Sequence, residues 1–385
     1  MSDRPLIYVD TPQLLEQICT ALADSQWLVI DTEFLRENTY YPEFCLLQIA
    51  GERTLACIDP LLIKHLDPLW ELLYQPHITK VFHAGRQDLE IFYHLHGRLP
   101  QPLFDTQVAA PLLGYPEQIG YANLVNEILG VTLEKGHSRT DWSRRPLSPQ
   151  QIEYAADDVR YLAPMYLRIR DKLMALGRLA WLDEDFAHLT DPATYANPPG
   201  DAWRRIKGGR KLKGRQLAIL RRLAAWREEL AGQENRPRGW ILKDDLLCHI
   251  ARLKPQTPQA LAQLRGLGEK TLKRHGETIC RLVNDPASEA MEPLPPRPPA
   301  LSSEQEALLD LLNAVVRLQA AYHQINPSVL ASRKDLELFL NTPNQSRLAQ
   351  GWRKKLVGNA LQDLLEGRKR LAIEKGHLQL EEVLP

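Results

Sequence analysis

Short apolar runs alternate with helical periodicity over the first third of the chain, and helical periodicity alone follows. Apolar runs at 27–31, 44–50, 53–58 and 78–82 read as strands. The second and third are joined through Gly51-Glu52, so the spacing predicts an antiparallel meander opening the sheet, with the strand near 78 joining later. Helices are predicted near 67–75 and 85–96, and the pattern from 105 to about 185 is mostly helical. Strands interleaved with helices in this way predict an α/β domain on a mixed sheet. Residues 190–202, with Pro192, Pro198, Pro199 and Gly200, read as a linker.

Past residue 203 no strand pattern appears, and two helical segments share a layout that suggests a diverged repeat. In the first, a helix over about 214–231 leads to Pro237 and Trp240-Ile-Leu-Lys, then to Thr257-Pro258 opening another helix. In the second, a helix over about 303–323 leads to Pro327 and Val329-Leu330, then to Thr342-Pro343. Thr as N-cap with Pro at the first helical position is a sound helix start in both. The Pro-rich stretch between them reads as a semi-rigid spacer. Three domains are expected: 1–202, 203–284 and, after a linker at 285–300, 301–385.

Composition narrows the class. At 385 residues the chain is too long for one ordinary core. It reads as a soluble protein: no run is apolar enough to cross a bilayer and the N-terminus lacks a signal pattern, so the cytoplasm is expected. The five cysteines form no C-x-x-C pair, which speaks against a disulfide framework or a zinc site. Net charge is zero, but unevenly spread. Lys+Arg against Asp+Glu is 16 to 28 over 1–202, 20 to 7 over 203–283 and 12 to 13 over 284–385, netting −12, +13 and −1. An acidic part able to hold cations is followed by a basic part able to hold a polyanion, which suits an enzyme acting on nucleic acid.

The acids supply the candidate chemistry. Asp31 and Glu33 end the run Trp27-Leu-Val-Ile, and alternate strand residues share a face, so two like charges project together. A fold tolerates that mainly when a cation lies between them or one carboxyl is protonated. Asp88 borders the apolar stripe of Leu89, Phe92 and Tyr93 on a predicted helix. Ser148-Pro-Gln-Gln151 has the layout of a capping box, and in the helix it opens Tyr154 and Asp158 share a face. Asp157 points elsewhere, so one of the two adjacent acids is the main ligand. Hard divalent ions take oxygen ligands, and two of them can activate water and neutralise the leaving oxygen in phosphodiester hydrolysis. With an unperturbed pKa near 10, Tyr154 suits alignment of the water better than strong base catalysis.

Asp-Thr-Glu-Phe at a strand end, then Phe82-His-Ala-Gly-Arg-Gln-Asp88-Leu, Phe104-Asp-Thr-Gln and Tyr154-Ala-Ala-Asp-Asp158 resemble the exonuclease motifs of the DEDD superfamily. The tyrosine marks the DEDDy branch; in the histidine branch a His stands where this chain has Glu153. The order and spacing resemble the bacterial ribonuclease D family across residues 1 to about 205, and the two downstream segments resemble HRDC domains. The resemblance implies an α/β, ribonuclease-H-like mixed-sheet exonuclease domain followed by two all-α HRDC-type domains. It implies 3′-to-5′ exoribonuclease activity that releases 5′-monophosphates, with precursor tRNA tails as substrate, two Mg²⁺ or Mn²⁺ ions, no organic cofactor, no membrane partner and a monomeric state. By motif, Asp31, Glu33 and Asp158 would hold the ion that activates water, Asp31 and Asp88 the second, and Tyr154 would position the nucleophile. Phe34 and Leu35 would wedge against the terminal base. Gln48, His83 and the loop Lys135-Gly-His137-Ser-Arg139-Thr-Asp-Trp142 are candidate substrate contacts.

From Trp203 to Arg215 seven cations and no acid stand in thirteen residues, among them Arg204, Arg205 and Lys207. Such a run suits the RNA backbone, because cations that neutralise phosphates supply most sequence-independent affinity. Arg265-Gly-Leu-Gly268 is either a phosphate-binding hairpin or an ordinary helix connection. Two rival readings are a DNA 3′-5′ exonuclease of proofreading or repair type, since the same acids cut either polymer, and a binding protein with a lapsed site.

Overall fold

The computed structural model describes residues 4–134, 136, 140–285 and 301–383. A six-stranded mixed sheet carries the first part of the chain. Its strands are β1 (Leu6–Val9), β2 (Trp27–Leu35), β3 (Glu43–Ala50), β4 (Leu55–Ile58), β5 (Thr79–Phe82) and β6 (Leu103–Asp105), in the order β1-β4-β3-β2-β5-β6. The predicted meander is present: β2 pairs antiparallel with β3, and β3 with β4. β5 lies parallel to β2, and the two edges, β1 and β6, are also parallel additions. Neither edge was expected from the sequence.

Helices cover both faces. On one side lie α1 (Pro12–Leu22), α2 (Asp67–Leu73) and α3 (Arg86–His96) over Leu28, Ile30 and Leu47; on the other α4 (Thr106–Ala109), α5 (Tyr121–Leu129) and α6 (Pro149–Ala175) close over Val29, Leu46 and Cys57. α6 starts where the capping box places it, with Ser148 Oγ taking the Gln151 N–H and Gln151 Oε1 taking the Ser148 N–H. α7 (Asp183–Leu189) ends this part, and Trp203 already lies in the core of the next.

That second core is wholly helical, built by α8 (Gly214–Gln233), α9 (Arg238–Ile241), α10 (Asp244–Leu253), α11 (Pro258–Ala262) and α12 (Glu269–Asn284). The third comprises α13 (Ser303–His323), α14 (Pro327–Leu330), α15 (Arg333–Asn341), α16 (Gly351–Arg353), a π-helical turn at Lys354–Gly358 and α17 (Asn359–Leu365). The proposed repeat is uneven at its second start: Thr257 caps α11 through its hydroxyl, whereas Thr342 makes no side-chain cap and opens one turn of 3-10 helix.

The expectation of no strand beyond residue 203 fails at the C-terminus, where β7 (Lys369–Glu374) and β8 (His377–Glu382) form a hairpin. Lys375 and Gly376 both take positive φ at its turn, the primed-turn geometry that matches strand twist. Leu371 faces Leu380 across the pair and both pack on the third core. Most of the Pro-rich linker, residues 286–300, lies outside the described residues.

Both helical parts are tied to the sheet domain. Asn235 Oδ1 accepts the Tyr40 and Tyr41 N–H groups at 3.1 and 3.0 Å, and the Tyr40 hydroxyl donates to Glu228. On the other flank the Trp181 and Trp352 rings stack at 4.5 Å, and buried Arg353 reaches Glu184 at 2.8 Å.

Candidate active site

β2 does not stop at Asp31, as the apolar run suggested, but carries both acids within its length and pairs with β3 as far as Leu35. A bulge shifts the register between Glu33 and Phe34, so that Cys45 on β3 has no partner residue opposite. Because the strand is pleated, Asp31 and Glu33 face α6, and Thr32 between them faces α3. Carboxylate oxygens of Asp31, Glu33 and Asp158 all lie within 4.8 Å of one another.

α6 therefore contributes Asp158 and turns Asp157 away. Arg160 binds Asp157 and also holds Glu153 at 2.7 Å. The Tyr121 hydroxyl lies 2.6 Å from the Asp158 carbonyl and 2.9 Å from that of Asp157, pinning this turn of α6 to α5.

Asp88 enters from α3, 6% exposed, with the Thr32 hydroxyl donating to its Oδ1. It lies outside the tight group of three but close enough that its charge pushes up the pKa values of Asp31, Glu33 and Asp158. The turn that launches α3 is shaped from β6. Asp105 accepts the Ala84 and Gly85 N–H groups at 3.1 and 2.8 Å and that of Gln107 at 2.8 Å, while Ala84 takes φ 58°. Gly85 is required there, since a Cβ would stand 2.5 Å from Phe82.

Crowded carboxylates out of water resist ionisation together. Burial first, then Asp158, Asp88 and Glu33, raises Asp31 well above the carboxylate range. Burial with Asp158 and Asp88 pushes Glu33 up to about 8, and burial with Asp157 and Asp88 pushes Asp158 up to about 7. Asp88 rises to about 6, its burial partly offset by the Thr32 hydrogen bond. Tyr154 rises too, through burial and the nearby acids, so its hydroxyl keeps its proton. Oxygens spread over 4.8 Å suit one ion, since two ligands across a divalent cation stand roughly 4–5 Å apart. The donor set thus fits divalent metal use.

The other sequence candidates sit less openly. Gln48, opposite Asp31 on β3, is fully buried, and its amide nitrogen and oxygen have no partner among the described residues. His83 spends both ring nitrogens internally, on Thr106 Oγ1 at 3.0 Å and the Ile119 carbonyl at 3.1 Å. Phe34 and Leu35 are half-buried, packed on opposite faces of the sheet. Arg204 pairs with Asp201 and Arg205 with Glu228, whereas Lys207 is exposed. Lys135 and His137 lie outside the described residues. Sequence reasoning missed Thr32 and Tyr121: the first was readable from strand alternation, the second had no local signal.

A profile described as 3′-5′ exonuclease matches residues 6–174, and an HRDC domain profile matches residues 216–283. Ribonuclease D of Sphingobium indicum is 39% identical over 99% of this chain and 99% of its own length. Ribonuclease D of Granulibacter bethesdensis is 40% identical over 95% of this chain and 94% of its own. The crystal structure of Escherichia coli RNase D, an exoribonuclease involved in structured RNA processing, superposes with a TM-score of 0.79 at 35% identity, covering 94% of this chain and 98% of that one.

Proposed function

The chain belongs to the ribonuclease D family of 3′-to-5′ exoribonucleases, and on that premise we propose that it trims the 3′ ends of structured RNA, such as precursor tRNA, with two divalent cations, Mg²⁺ or Mn²⁺. The observation that carries this reading is the convergence of Asp31, Glu33 and Asp158 oxygens within 4.8 Å, with Asp88 beside them. Asp31, Glu33 and Asp158 would hold one ion, and Asp31 with Asp88 the other. When bound, such ions supply water activation and charge neutralisation at the leaving oxygen.

The chain's own groups do the rest. Tyr154, still protonated, orients the attacking water by hydrogen bonding, and Thr32 fixes the Asp88 carboxylate. Leu35, next along β2 on the α6 side with the acids, packs against the terminal base and holds the 3′ end over them, whereas Phe34 packs on the opposite face of the sheet. The product is a 5′-monophosphate, and the shortened RNA keeps a 3′-hydroxyl.

Residues 1–202 form the nuclease domain in this reading, 203–284 a basic HRDC domain that grips the RNA backbone, and 301–385 a near-neutral HRDC-like domain that orients it, joined by the 285–300 linker. Lys207 and its exposed basic neighbours supply the grip, while Arg204 and Arg205 are partly spent on Asp201 and Glu228. No described helix is long and apolar enough to cross a membrane, and a monomer in the cytoplasm fits the reading. The test is hydrolysis of 5′-labelled single-stranded RNA and the matched DNA. Stepwise shortening of RNA from the 3′ end, stopped by chelator and restored by Mg²⁺ or Mn²⁺, is expected. Equal rates on DNA, or cleavage that survives chelation, would overturn it.

A further inference from the structure

The loop that enters α6 was a candidate for touching substrate on sequence, yet its last part points inward. Trp142 is 5% exposed and belongs to the core between the sheet and α6. Its ring lies nearly parallel to that of Tyr154, at 24° and 6.5 Å between centroids, an offset stack within the range where aromatic pairs attract.

Arg145 holds Trp142. A guanidinium has five N–H donors in a rigid fork, and here every arm is used. Nε and Nη2 bind the fully buried Asp59 at the end of β4, the latter at 2.9 Å. Nη2 also donates to the Cys45 carbonyl at 2.6 Å, on the residue that the β3 bulge leaves without a partner opposite. Nη1 donates to the carbonyls of Trp142 at 2.7 Å and Arg144 at 2.8 Å. Asp59 is itself saturated, accepting the Tyr8 hydroxyl and the Leu61 N–H as well. A pair satisfied on every side around a buried carboxylate is stiff, and it ties the sheet next to the catalytic acids to the backbone of Trp142, whose indole faces Tyr154.

We propose that Trp142, anchored by the Arg145–Asp59 pair, is a positioning residue that fixes the ring of Tyr154 against the acids of β2 and α6. Neither Trp142 nor Arg145 touches the RNA. They act through the tyrosine, so their value depends on its hydroxyl being there. The proposal rests on the orienting role given to Tyr154.

A double-mutant cycle separates the two. Single-turnover rates on a short RNA are measured for the full chain, Trp142→Ala, Tyr154→Phe and the double variant, with thermal unfolding as a folding control. Trp142→Ala is expected to lower the maximal rate about ten-fold with the substrate concentration at half-maximal rate within two-fold, and Trp142→Phe to restore most of it. In the Tyr154→Phe background, where no hydroxyl remains to be placed, Trp142→Ala should cost less than two-fold. If Trp142→Ala fails to fold, Trp142→Leu, which keeps apolar volume and loses the flat face, takes its place in the cycle. Arg145→Lys, which keeps the charge but not the fork, should show the same coupling. Equal losses in both backgrounds, or a loss carried by half-saturation alone, would overturn the positioning role. Full activity of Tyr154→Phe by itself would instead overturn the orienting role on which it rests.

Discussion

At the scale of single residues, the proposed activity would turn on crowded carboxylates that resist ionising together without a cation. Asp31→Asn or Asp158→Asn should reduce cleavage by at least about a thousand-fold, an interaction made at the reacting centre being worth several kcal/mol, while RNA binding at fixed salt changes little; paired rate and filter-binding assays decide it. The same crowding predicts how the metal-free protein responds to pH. Asp88, Asp158 and Glu33 are raised to about 6, about 7 and about 8, above their unfolded values, so the native state holds protons that the unfolded chain has released. Their contribution to stability is full below the unfolded carboxylate range and is lost as pH rises through those values. In chelator, the unfolding temperature should therefore fall between pH 5 and pH 8, and saturating Mg²⁺ should abolish most of the fall. A rise over that interval in chelator would contradict it. These acids were legible because each is a charged residue beside an apolar pattern. Thr32 could be read from strand alternation, though its bond to Asp88 could not, and Tyr121 was hidden altogether, because its hydroxyl looks like any other half-buried group until the α6 backbone is in place.

At the scale of elements, the active site depends on where strands end and helices begin. The Ser148 capping box was readable and correctly starts α6. The extent of β2 was not, since pairing with β3 carries it past the apolar run, and the bulge at Cys45 depends on register rather than on local composition. β6 was equally hidden, yet its Asp105 holds the turn into α3 by taking the Ala84 and Gly85 N–H groups and caps α4 by taking those of Gln107 and Val108. Asp105→Ala should lower unfolding free energy by about 2 kcal/mol, through removal of a cap and orphaning of its donors. It should also reduce activity through displacement of Asp88, and Asp105→Asn should be milder on both counts. Denaturant unfolding and steady-state rates test this, and an alanine variant of normal stability would show that the turn holds itself.

At the scale of the whole molecule, the division of charge visible in the sequence maps onto separate cores: the acidic sheet domain, the basic helical core of residues 203–283 and the near-neutral third. The docking between them was invisible beforehand. Trp181 and Trp352, or Tyr40 and Glu228, stand far apart in sequence, and no spacing rule joins them. Replacing Lys207, Arg210, Lys211 and Lys213 with Gln should weaken RNA binding at every sequence tested. It should also flatten the dependence of log affinity on log salt by up to about 3, at roughly 0.7 for each phosphate of a single strand that is no longer neutralised. An unchanged slope would remove the basic face from the binding path.

The claim beneath all of this is that distant segments converge on one divalent-metal centre. Anomalous diffraction from crystals soaked in Mn²⁺ measures that directly. The expected result is scattering peaks between the carboxylates of β2 and α6, bonded by Asp31, Glu33 and Asp158, with Asp88 ligating at a second peak. Mn²⁺ bound elsewhere, or a filled site from which Asp88 stands away, would contradict it.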